Sequence, residues 1–418
     1  MTLKTLKKEL QLSIYNSKFA KQTGILFGSQ IGVLLFGVLI KILQTRMLSV
    51  EEYGTYAFFG SLISFLVIFY RFGFFTSIKV VLANTSDIIK IRELVGTGLI
   101  FALLIGLSFS ATIVGLSFFV DQLFNVKLGN ILLIASPLCF VVPFKMFISE
   151  AGVGANKVKP IAIFDLFASG LFLLIIVLFY FNGQLSVQAL VIYNLLSFIA
   201  ALIIAISALK PRFNNISAHA TAIFEKTKEY GWHYYTGAVA NQSTFKLDEL
   251  FITYFVNVTQ LGFYSLANMI CSPMSIMSAA MSKSMFKKMA RLNKIPKRLF
   301  LYNTAWLLAC VGSLYFLAEL IVSFLFGSNY SDVALFVIPL SLAHLFRGLS
   351  SPYSFLSAKS KGKEIRNIAF AEAIINISGN IILIPIYGVM GAIVASIIAR
   401  FVHYAGSKYY YHKFLTDD

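Results

Sequence analysis

Charged and amide side chains placed inside long apolar runs are the residues of this chain that could do chemistry. In the first run Gln30, Gly37, Lys41 and Gln44 fall within about 60° of one another on a helical wheel, which gives that face a polar stripe carrying a cation. Arg46 lies just beyond the run, and Arg71 sits inside the second. A cation at mid-bilayer costs at least ~2.5–3.5 kcal/mol, so it must be solvated in a cavity or matched to an anion. Neither Lys41 nor Arg71 has an acid nearby in sequence. In the seventh run Asn241 and Asp248 lie on one line, seven residues apart, and Gln242, Lys246 and Glu249 form the adjacent line. Asp248 and Glu249 either titrate and bind a coupling cation, or pair with Lys246 as glue between helices, and both readings stay open.

Other buried-looking charges read more plainly. Lys145, Glu319 and Arg400 are expected to snorkel or pair locally. His344, Arg347 and Ser351 share a face, as do Glu372, Asn376 and Asn380, and these are expected to be hydrogen-bond networks between helices. Cys139, Cys271 and Cys310 fall in apolar runs with no C-x-x-C and no His at ligand spacing, so neither a disulfide nor a metal site is expected. No catalytic residue is assigned. No phosphate-binding Gly-rich loop of the nucleotide-hydrolysing type occurs.

The elements that must hold these residues follow from composition. The chain has 418 residues, of which 58% are hydrophobic and 13% charged. A soluble domain carries about 45–50% apolar and about 25% charged residues, so the solvent here is a bilayer. Twelve runs are long enough to cross it: 22–43, 55–78, 95–118, 131–149, 160–181 and 187–208, then 230–256, 261–282, 299–326, 332–357, 367–385 and 389–407. Continuous runs exclude a β-barrel, whose segments alternate. The expected class is therefore an all-α integral membrane protein of about 12 transmembrane helices.

The formal charge of +17 is explained by placement. Alternate connections (1–21, 79–94, 150–159, 209–229, 283–298, 358–366 and 408–418) hold 27 Lys and Arg, whereas the other six hold only Arg46 and Lys127. That asymmetry places both termini in the cytoplasm and removes the nucleic-acid reading. The run Lys283 to Arg298 is expected to anchor on anionic lipid. Residues 1–21 carry five Lys with Leu3, Leu6, Leu10 and Ile14 at helical spacing, which suggests a short helix on the membrane surface or a frayed cytoplasmic tail rather than a cleaved signal.

The chain also repeats itself. Ser49-Val50-Glu51-Glu52-Tyr53-Gly54-Thr55-Tyr56 lines up with Asn257-Val258-Thr259-Gln260-Leu261-Gly262-Phe263-Tyr264 at an offset of 208, with Val, Gly and Tyr coinciding. Ala155-Asn156-Lys157 sits opposite Ala358-Lys359-Ser360. With six runs in each half, this predicts two repeat-related six-helix bundles, 1–208 and 209–418, related by an axis along the membrane normal.

The segment Thr45-Arg46-Met47-Leu48-Ser49-Val50-Glu51-Glu52-Tyr53-Gly54-Thr55-Tyr56 and the triplet Arg71-Phe72-Gly73 resemble the O-antigen and capsule flippases of the multidrug/oligosaccharidyl-lipid/polysaccharide exporter superfamily. So do Asp248 with Gly262-Phe263-Tyr264-Ser265-Leu266-Ala267, Phe326-Gly327-Ser328-Asn329-Tyr330, and Ala371-Glu372 with Asn376, Asn380 and Ile384-Pro385-Ile386-Tyr387-Gly388-Val389-Met390-Gly391-Ala392. The resemblance implies a V-shaped cleft between the bundles, lined by spans one, two, seven and eight. It implies an undecaprenyl-pyrophosphate-linked oligosaccharide moved to the outer leaflet of a bacterial inner membrane; a monomer with no cofactor is expected, and coupling to a proton gradient, to a sodium gradient or to neither stays open. Membrane lipids, a polysaccharide polymerase and a chain-length regulator would be its partners. On that reading Lys41, Arg46, Arg71 and Lys246 attract the pyrophosphate, and Gln30, Gln44, Asn241 and Gln242 meet the sugar. Asp248 and Glu249 are the candidates for ion coupling. A lipid II flippase and a multidrug/cation antiporter are the alternatives within the superfamily. A membrane glycan polymerase or ligase is disfavoured by the short outward connections.

Overall fold

The computed structural model describes residue 25 and residues 28–183, 185–289, 291–359 and 361–417. The expected surface helix at 1–21 lies outside the described residues. In chain order the helices are α1 (Gly28–Met47), α2 (Val50–Phe69), α3 (Phe74–Ala83), α4 (Ile88–Ser117), α5 (Val120–Phe124), α6 (Gly129–Ala135), α7 (Val141–Gly154), α8 (Val158–Asn182) and α9 (Val187–Leu209). They continue as α10 (Ile216–Lys226), α11 (Trp232–Phe255), α12 (Val258–Met289), α13 (Lys297–Phe326), α14 (Val333–Ser350), α15 (Phe355–Ala358), α16 (Gly362–Tyr387) and α17 (Val389–Asp417). Among the described residues there is no strand.

A helix occupies each of the twelve expected intervals, but not all are apolar enough to count as spans. Nine helices of the described residues pass by length and composition, and a tenth is added if the bent pair Gly129–Leu138 and Val141–Gly154, at 47°, is one span. The two intervals that fall short are α11 and α12. They are long enough, at 24 and 32 residues. Their polar content is the reason: α12 alone carries Gln260, Asn268, Ser272, Ser275, Ser278 and Ser282. Phe181, Phe316 and Phe324, each more than 70% exposed, would be intolerable in water and belong in lipid, as in any multi-pass membrane protein.

The repeat motif acts as a helix start. Ser49 precedes α2, its amide and hydroxyl donate to Glu52 Oε2 at 2.9 and 2.8 Å, and the Glu52 amide donates back to Ser49 Oγ at 3.3 Å. This is a capping box, which satisfies amides that the first turn leaves open. Its repeat counterpart Asn257 does the same work for α12, accepting from the Gln260 amide at 2.8 Å.

Packing divides the chain into two compact units, one of Met1–Met47, Leu66–Phe119 and Leu128–Ala238, the other of Leu48–Phe65, Val120–Lys127 and Val239–Asp418. In the second unit α2 and α12 meet through repeat-equivalent glycines. A Cβ built on Gly54 would run into the Val258 carbonyl, and one built on Gly262 would sit 3.1 Å from the Gly54 Cα. The same unit is tied by polar bridges between helices. His344 on α14 contacts Ser275 Oγ at 3.0 Å and Asn268 Oδ1 at 2.8 Å on α12. Asn303 on α13 donates to the Gly348 carbonyl at 3.0 Å. The expected structural role of His344 holds. At the basic end, the Ile295 amide donates to the Tyr411 hydroxyl at 3.0 Å, which pins the 291–296 turn to α17.

Candidate functional site

In the first unit α2 stops at Phe69 and the chain unwinds through Tyr70, Arg71, Phe72 and Gly73 before α3 begins. Phe72 and Gly73 have φ of 44° and 76°. The first is strained for an aromatic residue, and the second suits glycine. The break is held from outside. A Cβ on Gly73 would collide with the Gly231 backbone, which belongs to the π-helical turn Thr227–Gly231 before α11. The Tyr235 hydroxyl donates to the Phe69 carbonyl, freed by the break, at 2.9 Å. Tyr70 is fixed by hydroxyl contact with Thr112.

Arg71 stands at the apex of this break. Its Nε is buried with no hydrogen-bond partner among the described residues. Glu150 and Tyr234 lie within electrostatic reach of it. Glu150, however, is engaged by Lys79, whose Nζ lies 2.7 Å from Oε2 and 6.0 Å from the Tyr234 ring centre. Two cations thus share one carboxylate, and the cluster keeps one positive charge over. Among the described residues, a buried Nε without a hydrogen-bond partner and two cations on one carboxylate together suit an anion with several oxygens.

In the second unit Asp248 is 4% exposed. Asn380 Nδ2 donates to its Oδ1 at 2.6 Å, Ser396 Oγ to its Oδ2 at 2.9 Å, and the Tyr264 hydroxyl reaches Oδ2 at 3.4 Å. Arg400 on α17 is within electrostatic reach. A carboxylate held by neutral donors from three helices, with a cation nearby, can take up a proton or a small cation in place of that partner.

The remaining sequence-derived candidates distribute as follows. On α1, Gln30 and Arg46 are exposed, Lys41 is half-buried, and Gln44 is buried with Nε2 lacking a hydrogen-bond partner among the described residues. These four and Arg71 belong to the first unit, and Gln242, Lys246, Asp248 and Glu249 to the second. Gln242 is half-buried on α11, and the Asn241 side chain lies outside the described residues. Lys246 Nζ sits 3.0 Å from both Glu249 oxygens, an ion pair within α11 rather than a link between helices. Asp248 stands apart from it, in the Asn380 network. Lys145 on α7 lies 3.7 Å from Asp165 on α8, a half-exposed pair between neighbouring helices.

The sequence reading missed Lys79 and Glu150, which it assigned to connections, and it did not join Asn380, Ser396 and Tyr264 to Asp248. The signal for the last was present: Tyr264 is the repeat partner of Tyr56, and Ser396 stands one helical turn before Arg400.

The chain can now be set beside known proteins. It matches the family described as "Polysaccharide biosynthesis protein" over residues 43–335. It is 24% identical over 403 residues to the "Probable flippase AglR" of Haloferax volcanii, covering 92% of this chain and 81% of that one. Its fold is similar to the lipid II flippase MurJ in an inward closed conformation, with a TM-score of 0.69, 17% identity, and coverage of 94% of this chain and 89% of that one. It is also similar to an inward-facing multidrug resistance MATE family transporter of the MOP superfamily, with a TM-score of 0.73, 13% identity, and coverage of 92% and 95%. The match spans more than half of the chain, so this protein belongs to the polysaccharide biosynthesis protein family and has the fold shared by MurJ and the MATE transporters.

Proposed function

We propose that the chain is a flippase that moves an undecaprenyl-pyrophosphate-linked oligosaccharide repeat unit to the outer leaflet of a bacterial inner membrane, for surface polysaccharide synthesis. The observation that carries this reading is the cluster at the α2–α3 break, where among the described residues Arg71 and Lys79 share Glu150 and the buried Arg71 Nε has no hydrogen-bond partner. A pyrophosphate supplies the oxygens that such a fork accepts. The likeness to MATE transporters keeps a cation antiporter as the second reading, but a cationic drug would be repelled by this cluster. We read the chain as two repeats, 1–208 and 209–418, working by alternating access with both termini cytoplasmic. Asp248 is the coupling group, and a proton or sodium gradient biases the cycle through unequal binding to its states.

The test is complementation of a strain lacking its own flippase. Lys41→Gln and Arg71→Gln should each insert normally and lower surface glycan about tenfold or more, the equivalent of ~1.4 kcal/mol, while lipid-linked repeat units accumulate inside. Full activity in both single variants and in the double variant would sink the anion-binding role. Topology is checked separately. A cysteine replacing Lys127 should react with an impermeant reagent from outside, and one replacing Lys297 should not. The reverse pattern overturns the orientation.

A further inference from the structure

Helices α16 and α17 pack as neighbours in the second unit and carry facing polar stripes. On α16 Glu372, Asn376 and Asn380 recur every four residues and are 5%, 3% and 0% exposed. On α17 Ser396, Arg400, His403 and Ser407 follow at spacings of four, three and four, which is one face of a helix. At one end of this ladder Asn380 and Ser396 close on Asp248. Two turns away, about 12 Å along α16, His403 Nδ1 meets Glu372 Oε2 at 2.6 Å. Arg400 lies between Ser396 and His403 in sequence, is within electrostatic reach of Asp248 and lines the same cavity as Glu372. It lies one turn from Ser396, which bonds Asp248, and one turn from His403, which bonds Glu372.

Glu372, Arg400 and His403 also face open space. With Arg347 from α14 they line a cavity of about 320 Å³, whose other wall, at Ser354 and Ser357, adjoins the basic turn of Lys359, Lys361 and Lys363. By charge placement that end is cytoplasmic. The charged and titratable groups around the pair are therefore Arg347, Arg400 and Tyr353, with Tyr404 against the Tyr353 ring at 6.0 Å. Those around Asp248 are Tyr264, Arg400 and Glu249, the last engaged by Lys246.

We propose that the Glu372–His403 pair is a proton-binding site at the floor of the cavity between α14, α16 and α17, and that Arg400, shared between Glu372 and Asp248, links the occupancy of the two carboxylates. Two guanidinium groups on the wall disfavour a metal cation there. A proton needs only the short hydrogen bond. Hydronium in the cavity gives its proton to the pair and leaves as water, and the pair's charge rises by one. Arg400 is then drawn toward Asp248. When Asp248 is neutralised instead, Arg400 is drawn toward Glu372 and holds it ionised. Each site thus favours occupation of one carboxylate at a time, which is what a shuttle of a single charge requires. This inference rests on the reading of Asp248 as the coupling group and names the proton as the coupling ion.

The test uses the full chain in phosphatidylcholine/phosphatidylglycerol vesicles without substrate, titrated with acid while infrared difference spectra follow the carboxyl C=O stretch. A titrating band should be absent in Glu372→Gln. In His403→Gln, which keeps the carboxyl, the same band should titrate at a shifted midpoint. In Asp248→Asn the midpoint should fall by about one pH unit, a tenfold loss of proton affinity, because Arg400 then serves Glu372 alone. In an Arg400→Gln background the Asp248→Asn shift should shrink by more than half. An unchanged spectrum in Glu372→Gln, an unmoved midpoint in His403→Gln or Asp248→Asn, or an equal shift with and without Arg400 would overturn the proposal. The titration needs no substrate, so a failed transport reading would appear in complementation alone and leave these spectra as expected.

Discussion

Asp248→Asn is expected to remove transport activity while the protein still inserts, with the largest functional effect of any single substitution in the chain. The argument is local. Asp248 accepts from Asn380, Ser396 and Tyr264 in a buried site. An asparagine keeps the shape, and the hydroxyls of Ser396 and Tyr264 can turn to accept from its amide, so the helices stay joined. What is lost is the negative charge, and with it the differential affinity of this site for a cation or proton between the states of the cycle. Surface glycan in the complementation strain should fall to background. Asp248→Leu should differ in kind. It removes the acceptor shared by three buried donors, each lost bond costing up to ~1–3 kcal/mol, and should reduce the yield of folded protein as well. Normal glycan display in the asparagine variant would remove Asp248 from the mechanism.

Gly54→Val is expected to have the largest effect on folding. Two helices cross here backbone to backbone, and the obstacle to a side chain is the Val258 carbonyl, which cannot rotate away. Overpacking of a core costs ~1–3 kcal/mol when side chains can yield. A main-chain obstacle on a capped helix start places this change at the upper end or beyond. Gly60→Ala, on the same helix with open space around it, is the control and should be neutral or mildly stabilising. Monodisperse yield and thermal unfolding of the purified variants decide the matter. Unfolding of Gly54→Val at the wild-type temperature would show that α2 and α12 separate at little cost.

How much of this was legible in the sequence depended on range. The spans, their order and the repeat motif were readable because hydropathy and capping act within a few residues: Ser49, Glu52 and Asn257 do their work on their own helix starts. The polarity of α11 and α12 is visible as well: all twelve runs are long enough to span, and nine helices of the described residues, or ten with the bent pair, are also apolar enough. A run of sufficient length was accepted despite the hydroxyls and amides of α12. The site was half legible. Lys246 and Glu249 pair at three residues' separation, a distance at which helical spacing predicts contact. The partners of Asp248 are 16, 132 and 148 residues away. Only the fold brings them in, and only a polar stripe on each helix hinted at it. Arg71 stands out in the sequence as a charge inside an apolar run, whereas its neighbours Lys79 and Glu150 fall in 79–94 and 150–159, which read as connections.

The contact of Gly73 with Gly231 has a kinematic consequence. Both residues lie in irregular backbone, one at an unwound break and the other in a π-turn, and no side chain separates them. Side chains can slip past one another by changing rotamer, but two apposed main chains have no such freedom. The end of α2 and the start of α11 are therefore geared together, and Tyr235, bonded to the Phe69 carbonyl, is a second tooth of the same gear. Any rotation of the first turn of α11 must be passed to the break, and the side chain at its apex is Arg71. The link that joins the α10 segment to α11 is thereby a crank on the Arg71 guanidinium.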